Sequence, residues 1–384
     1  MIARDVYSIG VIDREIDLFE GIYRVPEGIA YNSYVIKDEK IAVFDTVDKR
    51  FGEAWERNLA EVLSGRHPDY LIVSHMEPDH SANIAAFMKK YPGATVVSSK
   101  KAFDMMEGFF GESFQERRIE VKEGDTLSLG ERTLTFFTAP MVHWPEVIVT
   151  YDEADKILFS ADAFGSFIAD GTEEEKRDAL RRYYIGIVGK FGIPVRTLLK
   201  KAAALDIAMI CSLHGEPVTD KIGEYIRLYS LWASYEPEER GVTVAYTSVY
   251  GNTREAALLL ADALREAGVP HRVFDLARCD MMEAVAYAFR YSDLVLATTT
   301  YNGDIFPPMR DYLDRLAERG FSARRVGIIE NGTWLPAAAK GIRARLEGLR
   351  DIRYTETTVT VRSALSDTSR EAIAALANEL SHKE

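Results

Sequence analysis

The alternation of apolar and polar positions changes character partway along the chain. From residue 1 to about 65, short apolar runs are broken by turns, and Ile29–Ile36, the Lys37–Lys40 turn and Ile41–Phe44 read as a β-hairpin. Phe51, Trp55, Leu59, Val62 and Leu63 recur at helical spacing. A buried-type strand, 70–73, is followed by a helix over 82–89 that Tyr91-Pro92-Gly93 stops. Strands are then predicted over 94–98, 126–129, 133–138, 147–151, 157–161 and 207–213, with helices over 103–110, 172–191 and 222–236. Beyond Glu236 the pattern becomes strand, helix, strand. Strands 242–246, 271–276, 293–297 and 325–329 alternate with helices 254–267, 281–290 and 309–319, and a helix, a strand and a C-terminal helix complete the series. That alternation predicts a doubly wound parallel sheet.

Three-hundred-and-eighty-four residues exceed one ordinary core, so two domains are expected: 1–236, a charged Pro/Gly linker 237–241, and 242–384. A formal charge of -13 argues against non-specific nucleic-acid or anionic-membrane partners. Two cysteines without a CxxC pair argue against a cysteine-ligated iron–sulfur centre and against a disulfide framework. No apolar run approaches the ~18 residues of a membrane span, and the N-terminus lacks a signal-peptide pattern. A cytoplasmic protein is the expectation.

The chemistry collects at strand ends. After 70–73 comes Ser74-His-Met-Glu-Pro-Asp-His-Ser-Ala-Asn83, in which His75, Glu77 and Asp79 stand at spacing two and His80 follows. Imidazoles and carboxylates so grouped suit a divalent or trivalent metal. Three further strands end close to His143, Asp162 and His214, and four of the seven histidines lie at these positions. Asp45, which closes another strand, is either a support for that cluster or a turn former. In the second half, Thr247-Ser248-Val249-Tyr250-Gly251-Asn252-Thr253 joins a first strand to a first helix, an anion cradle without a lysine. No GxGxxG or GxxxxGK[ST] occurs, which favours a monophosphate. Loops 298–303 and 330–335 each add an aromatic, Tyr301 or Trp334, able to flank a flat ring. Together they describe a flavin mononucleotide (FMN) site.

Across both halves the chain resembles a flavodiiron protein: an αββα metallo-β-lactamase-like sandwich followed by a flavodoxin-like domain. The family's HxExDH, lone His, bridging Asp and last His match His75, Glu77, Asp79, His80, His143, Asp162 and His214. The resemblance implies two irons, with Asp162 bridging, His75, Glu77 and His143 mainly on one, and Asp79 and His214 on the other. His80 in this family either ligates or turns away. Zinc hydrolases of the same fold carry His where Glu77 stands, and a carboxylate there hardens the site towards iron. The flavin loops match Thr247–Thr253, Thr299, Thr300, Tyr301, Asn302 and Gly303, and less closely Asn331, Gly332, Thr333 and Trp334. Tyr183 and Tyr184 read equally as core aromatics or as facing the substrate, and stay outside the site. The implied activity is reduction of dioxygen to water, of nitric oxide to nitrous oxide, or both. Implied partners are a separate electron donor (rubredoxin or a reduced deazaflavin, with no appended rubredoxin domain expected) and a second copy, as a head-to-tail homodimer or dimer of dimers. Two other readings remain open at this stage: a zinc hydrolase domain fused to a flavodoxin-like module, and a non-catalytic redox carrier or sensor.

Overall fold

The computed structural model describes residues 1–168 and 171–382, so positions 383–384 of the second expected domain lie outside it. It divides into two compact units, Met1–Ser230 and Leu231–Glu384. The division falls inside the helix Ile222–Ala233.

In the first unit, strands Val6–Ser8, Tyr34–Lys37, Ile41–Phe44, Tyr70–Ile72, Thr95–Ser98 and Arg118–Glu120 form one sheet in that order. A second sheet runs Thr126–Ser128, Thr133–Thr138, Ile148–Asp152, Ile157–Phe159, Met209–Cys211. Their inner faces meet in one core, where the Phe44 and Phe159 rings stack at 4.0 Å. Ile41–Phe44 and Tyr70–Ile72 are buried at every position. Both faces of these strands are therefore covered, which is why their sequences read as unbroken apolar runs rather than alternating ones. The helix Gly52–Leu63 turns Trp55, Leu59 and Leu63 inward.

Three expectations differ from what is found. Ile29–Ile36 is not one strand: Ile29–Tyr31 pairs with Val11–Asp13, and Tyr34–Lys37 pairs with Ile41–Phe44 in the main sheet. The break at Asn32 and Ser33 is held by polar bonds, since the Asn32 amide donates to the carbonyls of Ser212 and Gly215 at 2.9 and 2.7 Å. The helix expected over 172–191 is α-helical only over Glu173–Tyr183. It widens to a π-helical turn over Tyr184–Val188, tightens over Gly189–Phe191, and resumes as Gly192–Ala202. Finally, Glu239–Gly241, read as linker, already belong to the strand Glu239–Tyr246, because Glu239 pairs with Tyr291 ahead of a bulge.

The second unit is a parallel sheet whose strands lie in the order His271–Asp275, Glu239–Tyr246, Tyr291–Tyr301, Arg324–Asn331, Ile352–Val361. Numbered along this unit the order is 2-1-3-4-5, the flavodoxin-like arrangement. The helices Asn252–Glu266 and Asp367–Ser381 pack Ala256, Leu260, Leu264, Ile373, Leu376 and Leu380 against this sheet. The order places the turns after the first and third strands side by side, at the switch point where ligands bind in such sheets. There the Thr247 and Thr298 hydroxyls lie 2.6 Å apart.

Candidate diiron centre and flavin loops

The buried strand Tyr70–Ile72 runs parallel to Ile41–Phe44 and to Thr95–Ser98, so all three end at the same edge of the sheet. Asp45, beyond the first, accepts the backbone N–H of Ser74 at 2.7 Å and of His75 at 3.3 Å, and so fixes the turn that carries the motif. His75 and Glu77 lie on the extended stretch, whereas Asp79 and His80 fall in the helical turn Pro78–Ser81. That change of backbone separates the donors. His75, Glu77, His143 and Asp162 offer ligand atoms that lie within 4.8 Å of one another, and Asp79, His80 and His214 form a second such group.

Asp162 stands between the two. Its Oδ2 lies 3.3 Å from His75 Nε2 and 3.1 Å from His143 Nε2, and its Oδ1 lies 3.6 and 3.7 Å from the Nε2 atoms of His80 and His214. Glu77 Oε2 closes the first group, 3.0 Å from His143 Nε2 and 3.3 Å from His75 Nε2. His80, left open by the sequence, turns its Nε2 inward, 3.0 Å from His214 Nε2 and 3.3 Å from Asp79 Oδ2.

The far nitrogens are held too. His75 Nδ1 lies 2.8 Å from Glu146 Oε1, a fully buried carboxylate that also accepts the Met76 N–H, and His214 Nδ1 lies 2.8 Å from the Ala30 carbonyl oxygen. Such partners fix ring orientation and the nitrogen left free for a metal. Sequence reading missed Glu146 and Ala30. The one available signal for Glu146 was a lone acid at the start of the apolar run Val147–Tyr151. Tyr183 and Tyr184 now separate. The Tyr183 ring lies 5.4 Å from that of His214 with its buried hydroxyl unbonded, while Tyr184 packs edge-on against Tyr229. A Cβ on Gly165 would come within 2.7 Å of the Tyr183 ring, so only glycine allows this approach.

The donors fit two metal ions. Asp79 Oδ1 and Asp162 Oδ1 are buried and hydrogen-bond to nothing, which is costly for an anionic oxygen unless a cation faces it. The charges respond to one another. Burial pushes the Glu77 pKa up, yet hydrogen bonds from His143 and His75 outweigh it and hold it at about 2. Burial pushes His143 down, but Asp162 and Glu77 raise it to about 9. For His80, burial outweighs the attraction of Asp79, and its pKa falls to about 4. His143 is thus protonated at neutral pH in the metal-free protein, and metal takes the neutral ring. Ferrous ion uptake should therefore release protons, with apparent affinity climbing as pH rises from 6 towards 9. A titration in weak buffer under nitrogen should record about one proton or more per chain; uptake without release would contradict this protonation state.

In the second unit, Gly251 at φ 99° leads into the helix Asn252–Glu266, whose first N–H groups have no acceptor within the helix. Ser248 Oγ accepts the Gly251 N–H at 3.0 Å, leaving its own proton to donate. A Cβ on Gly251 would meet open space, so the left-handed backbone, not crowding, calls for glycine. Thr298–Tyr301 proves to be the end of a long strand, not a loop. Asn302 (φ 50°) and Gly303 (φ 75°) then turn the chain back into Asp304–Ile305, as a two-residue hairpin demands. Tyr250 is 93% exposed, Trp334 87% and Tyr301 42%: broad aromatic faces left uncovered within the unit. Thr299 and Thr300 close the strand Tyr291–Tyr301, Gly332 and Thr333 follow the strand Arg324–Asn331, and Val249 is exposed. Thr247 and Asn331 are internally committed, Thr247 to Thr298 and Asn331 to the Ser363 carbonyl. A phosphate at the helix N-terminus and a flat ring between exposed aromatics fit these residues.

Comparison with known proteins shows which proteins the chain is similar to. Residues 29–215 match the model of the ODP family beta lactamase. A flavorubredoxin named anaerobic nitric oxide reductase, from Aliivibrio fischeri, is 32% identical over 90% of this chain and 72% of its own length. A counterpart from Aliivibrio salmonicida is 31% identical over 90% and 71%. Among solved structures, the flavodiiron protein of Giardia intestinalis superposes with a TM-score of 0.91 at 27% identity, covering 99% of this chain and 96% of that one. Rubredoxin:oxygen oxidoreductase of Desulfovibrio gigas superposes with a TM-score of 0.92 at 25% identity, covering 99% and 97%. The fold is that of an αββα metallo-β-lactamase-like sandwich followed by a flavodoxin-like domain. The chain belongs to the flavodiiron protein family.

Proposed function

We propose that this protein is an oxidoreductase that reduces dioxygen to water, nitric oxide to nitrous oxide, or both, with two irons in residues 1–236 and FMN in residues 242–384. The observation that carries this is Asp162, whose two oxygens face two separate groups of donors. His75, Glu77 and His143 would hold one iron, Asp79, His80 and His214 the other. Glu77 favours iron over zinc, because a third carboxylate adds hard, anionic character that a zinc hydrolase site replaces with imidazole. When bound, the iron pair and flavin together supply the electrons that a diatomic oxidant takes up. The chain's own part is positional. Glu146 and Ala30 set the histidine rings. Phe19, Tyr31 and Tyr183 wall His214 with aromatic rings at 5.4 to 6.0 Å and limit water there.

An electron donor accords with the relatives, one of which is named rubredoxin:oxygen oxidoreductase; in this reading the donor is a separate molecule, rubredoxin or a reduced deazaflavin, and a head-to-tail homodimer or dimer of dimers would bring one copy's flavin beside the other copy's irons. A cytoplasmic site of action accords with this reading, and among the described residues no helix is long and apolar enough to cross a membrane. The test is consumption of each gas by the reduced, iron- and flavin-loaded protein, measured side by side. Turnover on the order of 1 s⁻¹ or more with at least one gas is expected. Two zincs, no iron and no consumption of either gas would overturn the reading in favour of a hydrolase.

A further inference from the structure

The two donor groups match in their inner ligands and differ behind them. Each has one carboxylate of its own, Glu77 or Asp79, two imidazoles, and one oxygen of Asp162 turned towards it. Behind His75 stands a carboxylate, with Nδ1 lying 2.8 Å from Glu146 Oε1. Behind His214 stands the neutral carbonyl of Ala30, also at 2.8 Å, and the buried His80 Nδ1 has no hydrogen-bond partner among the described residues. Glu146 is 1% exposed, and its Oε2 is buried and hydrogen-bonds to nothing. Burying an anion with so few bonds is costly unless a positive charge lies close. Its donors are the Met76 N–H at 2.8 Å and the His75 ring, and the cation beyond them is the one His75 would hold. Neighbours fix this arrangement. The Ser99 hydroxyl donates to the Glu146 carbonyl at 2.7 Å, and the Trp144 ring covers His75 edge-on at 5.2 Å. With His75 at 0% exposure, bulk water does not screen the pair.

We propose that Glu146 makes the two metal positions unequal. Its charge, acting through the His75 ring, ties the ion held by His75, Glu77 and His143 more tightly than its neighbour and biases that ion towards the ferric state. The proposal rests on the diiron reading above. An imidazole whose N–H meets a carboxylate gives its other nitrogen more electron density for a metal than one whose N–H meets a carbonyl. Stronger donation favours the ion of higher charge, so iron at His75 gives up its electron at the lower of the two potentials. Glu146 touches neither the substrate nor the metal and is a positioning residue that acts through His75. Orienting the ring needs only an acceptor, which Ala30 supplies to His214 without charge. The charge is what Glu146 adds, and substitution separates the two.

Glu146→Gln keeps the length and an amide oxygen for the Met76 and His75 N–H groups but removes the charge, and Glu146→Asp restores the charge on a shorter stem. The first test titrates the metal-free, full-length protein with cobalt(II) alone. Trp144, edge-on to His75 at 5.2 Å and 6.1 Å from His143, reports occupancy of that group through quenching of its fluorescence. Quenching should accompany the first equivalent in wild type, need about 10–100-fold more free cobalt in Glu146→Gln, and partly return in Glu146→Asp. The second test loads each protein with iron and oxidises it stepwise with ferricyanide, which takes one electron from each ferrous ion. Electron paramagnetic resonance follows the half-oxidised pair. A tenfold loss of ferric over ferrous binding raises a one-electron potential by about 59 mV. The lower potential should rise by about that much or more in Glu146→Gln while the upper one stays, so the half-oxidised pair spans a narrower range. Wild-type quenching and wild-type potentials in Glu146→Gln would overturn the charge role and leave an acceptor that only orients the ring. Equal shifts of both potentials would overturn the inequality. A wild type that takes up no iron would fail the diiron reading, and the cobalt comparison, which needs none, would still decide for or against Glu146.

Discussion

Asp162→Ala should strip the protein of iron and leave it yellow. The carboxylate is 1% exposed and turns one oxygen towards each donor group, so if it bridges as proposed its loss would remove a ligand from both at once. His75 and His143, whose rings lie 5.1 Å apart, would then face each other across the space that Oδ2 fills. Metal content should fall from about two irons per chain to well under one. Gas consumption should drop about 10³-fold or more, because the several kcal/mol of charge stabilisation a metal supplies corresponds to about that factor. The proposed flavin residues all belong to the other compact unit, so absorbance near 450 nm should persist. Asp162→Asn sharpens the test: it keeps the shape and one carbonyl oxygen but not the charge. A merely structural aspartate would be rescued by Asn, whereas a bridging one would not. Iron retained at full stoichiometry in either variant contradicts the bridging role.

Asp162 was legible in the sequence for the same reason as His75 and His214. Each follows a short apolar run, and a buried strand that stops on a charged or imidazole side chain needs a reason to do so. The supports of those residues were not legible. Glu146 reaches His75 across 71 positions and Ala30 reaches His214 across 184, and no local period carries such pairings. Tyr183 and Tyr184 are neighbours of equal hydrophobicity. Which of the two faces His214 depends on how the helix is set against the rest of the unit, and local sequence does not carry that. The stretch 237–241 carries Pro and Gly and reads as a connection, yet the pairing of Glu239 with Tyr291 draws it into the sheet, where tertiary context overrides composition.

Asn32→Ala should weaken the fold and unseat one iron more than the other. Asn32 interrupts what the sequence presents as a continuous strand, and the interruption is where the two sheets are tied together. Its amide donates to the Ser212 and Gly215 carbonyls, and its backbone N–H donates to Leu213 at 2.8 Å. Those three acceptors flank His214 on both sides. Tyr34 adds a hydrogen bond to the Ser212 carbonyl at 2.8 Å, so that oxygen keeps a partner when the amide is deleted, while the Gly215 carbonyl loses the one contributed by Asn32. A buried acceptor left unsatisfied costs about 1–3 kcal/mol, and loss of the second amide bond adds about 1 kcal/mol. The sum, about 2–4 kcal/mol, corresponds to a fall in Tm of roughly 4–16 °C at the 2–4 °C per kcal/mol typical of domains this size. The displacement acts on His214, and through it on the group it forms with Asp79 and His80. In the other group His75 is held by Asp45 and Glu146, and Glu77 and His143 by each other, without any bond to Asn32. Iron bound by the variant should therefore fall towards one per chain at limiting metal, with the remaining ion bound nearly as tightly as in wild type. A stepwise chelator titration followed by metal analysis distinguishes the outcomes. Equal loss of both ions would mean that the two groups rise and fall as one unit, and an unchanged Tm would remove Asn32 from the supports of His214.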